Sequence, residues 1–255
     1  MLYSRRGPSN GLPMVLLHGV IRSHRCFTPL LADLERAWEV HGVDHAGHGD
    51  SPRANRYRVV DYASPVVEYL EERVSAPAVI YGHSLGAMVA AVAAAQTPER
   101  VRALVLEDPP FETMGARIAG SGMQPYFASL KPFAGRPFDP RGLSKVIGAV
   151  RDASTIRFMA RCLSYLDPAV LDPIVIGEWL QGFDLEDTFR RIACPILLLQ
   201  SDPAAGGMLT PEDAARVSAA AADCTLVHLQ GIGHQAHWLD TQTLLRHLHA
   251  FLLTL

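Results

Sequence analysis

The sequence predicts an α/β fold, a mostly parallel sheet of about seven strands flanked by helices and interrupted by an inserted helical segment. Three observations predict it. Short apolar runs without polar alternation fall at Met14–Leu17, Trp38–Val43, Ala78–Tyr81 and Ala103–Leu106, the pattern of strands covered by helices on both faces. Amphipathic stretches at Phe27–Ala37, Val60–Val74 and Leu85–Gln96 separate them, long enough to serve as crossover helices. After a break the rhythm resumes, with runs at Pro195–Gln200 and Thr225–Leu229 and helical stretches at Pro211–Ala222 and Asp240–Leu253. Thr210-Pro211-Glu212-Asp213 is a strong helix start, with Thr210 as cap, proline in the first turn and acids at the positive end of the dipole.

The break follows Asp108-Pro109-Pro110, where two prolines stop a strand. Residues 111–188 carry helical segments and glycine-proline interruptions but no buried strand pattern, which reads as an inserted lid. The expected division is a core of 1–110 and 189–255 and a lid of 111–188. Phe111, Met114, Met123, Tyr126, Phe127, Trp179 and Phe183 are among its large apolar residues.

At 255 residues and 49% hydrophobic, the chain can build one large α/β domain around a substantial core. A formal charge of −3 supplies no basic field for nucleic acid and no polybasic segment for anionic membranes. The first apolar run, Met14–Leu17, is too short for a signal core or a membrane span, so a cytoplasmic location is expected. Cys26, Cys162, Cys194 and Cys224 are widely spaced, a pattern of neither zinc ligation nor a disulfide framework.

The chemistry starts at Gly82-His83-Ser84-Leu85-Gly86, which follows the apolar run Ala78–Tyr81 and opens an alanine-rich helix. A strand that reverses into a helix within so few residues strains the central residue, and glycines on either side remove the side chains that would collide there. This is a nucleophile elbow, with the Ser84 hydroxyl at its apex. A serine hydroxyl needs a base to take its proton and a third group to orient that base. Of the eleven histidines, His234 is best placed, because Gly231-Ile232-Gly233-His234 forms a flexible turn between the last strand and the last helix. Ligand sites in parallel sheets lie beyond the carboxyl ends of strands, where Ser84 and His234 would both sit. His237, three residues on, suits packing or hydrogen bonding better. Two aspartates satisfy the serine, acid, histidine order and end a strand at that edge: Asp108, after Leu104-Val105-Leu106-Glu107, and Asp202, after Leu197-Leu198-Leu199-Gln200-Ser201. Glu107 is a third candidate. The aspartate that is not the acid is expected to tie down a loop through backbone N–H groups.

On these motifs the sequence resembles the α/β-hydrolase superfamily, over nearly all of the chain outside the lid. The family usually carries its acid in a GxxD-like pattern past the penultimate strand, and here that pattern reads Ser201-Asp202-Pro203-Ala204, with alanine where the acid is customary. Some relatives, certain lactonases and haloalkane dehalogenases among them, place it after the strand that follows the nucleophile helix, which corresponds to Asp108. The resemblance therefore favours Asp108 over Asp202. It also implies an oxyanion hole from the N–H groups of Leu85, after the nucleophile, and Val20, in the loop Leu17-His18-Gly19-Val20, with His18 a structural hydrogen bonder. Asp44-His45-Ala46-Gly47-His48-Gly49-Asp50-Ser51 resembles the family's DxRGHGxS loop with alanine in place of arginine, which favours a structural loop over a metal site. The family commonly opens with a strand hairpin. Only Leu2–Arg6 precedes Gly7 here, so the first strand of that hairpin is expected to be missing.

The reading is a serine hydrolase that needs no metal or cofactor and acts on a small, neutral, moderately hydrophobic ester or lactone, because the lid is apolar and its Arg and Lys residues form no evident carboxylate site. Carbon-carbon bond hydrolysis, cofactor-free perhydrolysis and non-catalytic ligand binding remain alternatives on the same residues, since one fold hosts many functions. Haloalkane dehalogenation is disfavoured, because it needs a carboxylate where Ser84 stands.

Overall fold

The computed structural model describes residues 1–8, 11–118, 123–148 and 152–255, and not the side chain of Met114. The expected lid residues 119–122 and 149–151 thus lie outside the described residues, as does the Met114 side chain. Seven strands form one sheet: β1 (Ser4–Arg6), β2 (Leu12–Leu17), β3 (Trp38–Val43), β4 (Ala78–His83), β5 (Val101–Glu107), β6 (Ile196–Ser201) and β7 (Cys224–Leu229). Their spatial order is β1-β3-β2-β4-β5-β6-β7. Only β1 is antiparallel, pairing Ser4 with Val43 and Arg6 with His41 on the edge of β3. It is the strand carried by Leu2–Arg6.

The uninterrupted apolar runs reflect burial on both faces. Along each central strand successive side chains alternate between two cores: Val15, Leu17, Ile80, Leu104, Leu106 and Leu198 enter one, and Met14, Leu16, Tyr81, Val105, Leu197 and Leu199 the other. The first core is covered by α2 (Val59–Arg73) and α3 (Leu85–Gln96), the second by α1 (Thr28–Leu34) and α12 (Thr241–Leu252). Helix α3 is buried on every side from Leu85 to Ala95, and its alanines let it lie close between the sheet and α2.

Helix boundaries differ from the sequence expectation for local reasons. The stretch expected as one helix over Phe27–Ala37 is a 3₁₀ turn, His24–Phe27, followed by α1, with Pro29 in its first turn. The stretch expected at Asp240–Leu253 is the single helix α12, and a short turn precedes it. Asp240 leaves the helical region and its carboxylate accepts from Thr243 N–H, capping α12, while Ala236–Leu239 forms the separate turn α11. Thr210 caps α10 (Pro211–Ala220) through Asp213 N–H, as expected.

Between β5 and β6 the described residues contain helices and no strand: α4 (Glu112–Ile118), α5 (Met123–Leu130), α6 (Pro140–Ile147), α7 (Ala153–Tyr165), α8 (Asp172–Val175) and α9 (Leu185–Arg190). Helix α9 packs on α3 and α10 at the side of the sheet, whereas α5 and α8 pack on each other over its carboxyl edge. The chain changes direction between β2 and β4, which lie side by side while their onward connections run to opposite sides. A crevice opens at such a switch point, at the carboxyl ends of the two strands. No helix among the described residues is long and apolar enough to cross a membrane.

Candidate active site

Ser84 occupies the turn between β4 and α3 with φ 55° and ψ −119°, a conformation that side-chain-bearing residues rarely adopt. The flanking glycines permit it. A Cβ on Gly82 would stand 2.4 Å from Gly86 O, and one on Gly86 would stand 2.0 Å from Leu17 O. Both obstacles are backbone and have nowhere to go. Gly86→Ala should therefore cost about 3 kcal/mol or more, read as a large fall in urea midpoint or as loss of soluble protein. A midpoint within error of the parent would show that the turn is not under that constraint.

The three non-glycine residues of positive φ among the described residues are Ile21, Ser84 and Asp108, and all three stand in loops at this crevice. Asp108 leaves β5 with φ 46° and is fully buried. Its Oδ1 accepts from Ser201 N–H (3.1 Å) and Leu209 N–H (3.0 Å), and its Oδ2 from Met208 N–H (2.7 Å). Oδ2 also receives His234 Nδ1–H at 2.6 Å. A carboxylate has room for these four donors, and together they fix its plane. With Nδ1 carrying the proton, His234 Nε2 is the acceptor, and the Ser84 hydroxyl donates to it over 3.0 Å. Ser84, His234 and Asp108 are thus brought together across 150 residues of chain, one from each of three strand ends.

Asp202 is elsewhere. Its carboxylate accepts from Ala204 N–H and Gly231 N–H, each at 2.8 Å, and so ties the loop after β6 to the turn before His234. These bonds, led by that from Gly231, hold its carboxyl below the ordinary range. Glu107 points to the opposite face of the sheet from Asp108, as adjacent strand residues do. There it is fully buried and accepts from Tyr81 hydroxyl, His237 N–H (3.1 Å) and His237 Nδ1–H. Burial alone would raise its carboxyl, but His237, His83 and these donors outweigh it and hold it at about 2. His83, Glu107 and His237 offer ligand atoms within 4.8 Å of one another. Their bonds make them a structural tie instead: Glu107 is taken by Tyr81 and His237, and His83 Nε2–H donates to His234 O at 2.8 Å. The residues next to Ser84 and Asp108 thereby hold the segment that carries His234, a role that sequence spacing did not reveal.

Val20 and Leu85 flank the serine. Neither N–H takes part in a turn or loop hydrogen bond among the described residues. Gly19 brings the first loop close, since a Cβ there would lie 3.2 Å from Ser84 Cβ. The loop is braced from behind. His18 Nδ1–H donates to Gly19 O (2.8 Å), and its Nε2 accepts from His45 N–H (3.1 Å). His45 Nε2–H returns to His18 O (3.1 Å). Asp44 accepts from His24 N–H (2.7 Å), His24 Nδ1–H (2.9 Å) and Asp50 N–H (3.2 Å). The 44–51 loop is therefore a structural brace, as its glycine spacing suggested.

Ser84 and His234 open onto a cleft walled by Ile118, Met123, Tyr126, Phe127, Ile174 and Trp179 of the helical segment and by Val20, Ile21 and Met208 of the core loops. One lining residue of the cleft is a cation from outside the helical segment. Arg22, from the loop that carries Val20, lines the cleft and is only 6% exposed. Its signal in the sequence is an arginine two positions past Val20. Gln235, next to His234, was missed as well. With its amide oriented to suit both groups, the Gln235 carbonyl accepts from Arg22 Nη2 at 2.8 Å and Nε at 3.1 Å.

Known proteins share this fold. A family model described as alpha/beta hydrolase fold matches residues 13–241. A 2-(acetamidomethylene)succinate hydrolase of Mesorhizobium japonicum is 24% identical over 97% of this chain and 90% of its own. A pimeloyl-[acyl-carrier protein] methyl ester esterase of Neisseria meningitidis is 37% identical over 36% of this chain and 34% of its own. Among solved structures, an N-formylmaleamic acid deformylase from Pseudomonas putida superposes with a TM-score of 0.81, at 20% identity over 97% of this chain and 95% of that one. The relatives are hydrolases, and the protein belongs to the α/β-hydrolase fold family.

Proposed function

We propose that the protein is a serine hydrolase of a small carboxylic ester or lactone, with Ser84 as nucleophile, His234 as general base and Asp108 as the acid that orients it. The observation that carries this reading is the continuous relay from Asp108 through His234 to Ser84, at 2.6 and 3.0 Å. His234 Nε2 takes the hydroxyl proton as Ser84 Oγ attacks the acyl carbon. The oxyanion that forms is held by the N–H groups of Val20 and Leu85, donors whose removal costs about 3 to 4 kcal/mol in enzymes of this kind. His234 then gives the proton to the leaving alcohol, an acyl-Ser84 remains, and water activated by the same imidazole releases the acid. Residues 111–188 act as the lid of the site, excluding water and supplying the apolar wall of the cleft. That wall and the methyl ester esterase among the relatives support an ester with an apolar body.

The direct test is labelling with a fluorophosphonate probe, which forms a covalent bond with an activated serine. The parent protein should label within minutes and Ser84→Ala should not, with both folded by circular dichroism. Absence of labelling in the folded parent would favour a ligand-binding protein that keeps the fold for its pocket.

A further inference from the structure

We propose that His83 is a positioning residue for the base: its Nε2–H holds the carbonyl of His234 and so sets the imidazole of that residue at the distance from Ser84 that proton transfer needs. This rests on the serine-hydrolase reading of Ser84. His234 belongs to no strand or helix. It stands in a turn that begins with Gly231 at φ 73° and passes through Gly233, a stretch of backbone with little stiffness of its own. Asp202 ties the start of the turn through Gly231 N–H, and Glu107 ties its far end through His237 N–H. Between those two ties, His83 Nε2–H donates to His234 O at 2.8 Å, and no backbone N–H in the turns and loops of the described residues donates to that carbonyl.

The chemistry of the His83 ring fits this single task. The ring is buried, and its Nδ1 has no hydrogen-bond partner among the described residues, so the bond to His234 O is the one it makes there. A buried acceptor left without a donor costs about 1 to 3 kcal/mol, a cost that a phenylalanine in the same place would not carry. Histidine at this position is therefore accounted for by the N–H it supplies and not by its packing.

The ring is also a spacer. A Cβ on Gly19 would stand 2.9 Å from His83 Nδ1, and the centroids of the His83 and His234 rings are 4.7 Å apart, so one side chain lies against both the loop that carries Val20 and the turn that carries the base. His237 fixes its place in turn, edge-on at the same 4.7 Å and itself bonded to Glu107. Burial holds His83 well below the ordinary histidine value, against the opposing charge of Glu107, so the ring beside the base is neutral. A cation there would oppose the imidazolium that forms when His234 takes the Ser84 proton, and a neutral donor does not.

The test removes the donor and keeps the ring. His83→Phe should lower kcat on a p-nitrophenyl ester by about 30- to 100-fold with KM within about twofold of the parent, since a displacement of about 1 Å at a reacting group costs on the order of 10²-fold. His83→Gln, whose amide NH₂ can stand where Nε2–H stands, should recover most of that loss. The rate of fluorophosphonate labelling, which depends on the same base, should fall and recover in parallel. A kcat for His83→Phe within about threefold of the parent, a rise in KM in place of the fall in kcat, or equal rates in His83→Phe and His83→Gln overturns the proposal. A further measurement needs no variant and stands even where His83→Phe does not fold. Heteronuclear NMR of the imidazole nitrogens of the parent should show His83 as the Nε2–H tautomer; the Nδ1–H tautomer would leave nothing to donate to His234 and would overturn the proposal by itself. A parent that labels with the fluorophosphonate while His83→Phe labels as fast overturns this inference alone. A parent that does not label overturns the hydrolase reading, and this one with it.

Discussion

Asp108→Asn should lower kcat/KM by about 10³- to 10⁴-fold on any ester the protein hydrolyses, while Asp202→Asn should change it by less than about threefold. Asparagine at 108 can still accept from Ser201 and Leu209 through its carbonyl, at the loss of the bond from Met208 N–H, so the fold should persist at reduced stability. It also presents an NH₂ group where Oδ2 received His234 Nδ1–H. The imidazole then gains more by keeping its proton on Nε2, and the nitrogen that faces Ser84 becomes a donor instead of an acceptor. Proton transfer from the serine is lost even though every side chain is still in place. Asp202 bonds only to backbone N–H groups of its own loop and of Gly231, and asparagine can keep one of those bonds. Turnover of a p-nitrophenyl ester by both variants, with thermal melts as the control for folding, makes the comparison. The opposite ranking would transfer the acid's role to Asp202.

The competition between those two aspartates also marks how far the sequence could be read. Strand ends, the elbow glycines and the histidine turn are local signals, written in contiguous residues, and Ser84 and His234 followed from them. Asp108 and Asp202 both end a strand at the same edge, so spacing left them equivalent and only resemblance separated them. What distinguishes them in the structure is remote: the positive φ that turns Asp108 toward the crevice, and donors from Ser201, Met208 and Leu209 that come from about a hundred residues further on. Arg22 and Gln235 were illegible for a related reason. Each sits beside a residue that had been assigned, but their pairing exists only because the loop after β2 meets the turn after β7. Element boundaries slipped by one or two residues where caps decide them, and α11, a single four-residue turn ahead of the expected last helix, is too short to show a period.

Acidification should unfold the protein through its buried histidines before its carboxylates titrate. Burial lowers His18 and His45 well below the ordinary histidine value, helped by the neighbouring ring of His48 in each case, and it brings His48 itself to about 4. Burial also lowers His83, beneath the elbow. The geometry agrees for His18, whose Nε2 must stay unprotonated to accept from His45 N–H. His45 Nδ1 and His48 Nε2 have no hydrogen-bond partner among the described residues, so a proton added at either would be a donor with nothing to receive it. The Gly19 carbonyl opposes the shift at His18, and Asp44, itself engaged by His24, opposes it at His45 and His48. The sign follows from linkage. These histidines take up protons near pH 6.5 in the unfolded chain and only at lower pH in the native one, so their contribution is intact above pH 6.5 and is lost as the pH falls below it. Each such histidine removes up to about 1.4 kcal/mol per pH unit, so four acting together approach about 5 to 6 kcal/mol per unit. Glu107, held at about 2, adds its loss only below its unfolded value of 4.5, and in the same direction. Against an ordinary total of about 5 to 15 kcal/mol, a loss of this kind should be plain in the unfolding midpoint below pH 6.5. Urea unfolding at pH 7.5, 6.5, 6.0, 5.5 and 5.0 measures the slope directly. A midpoint that stays level from pH 6.5 to 5.0 would mean that the native state binds these protons freely, and that the brace behind Gly19 and Val20 is open to water.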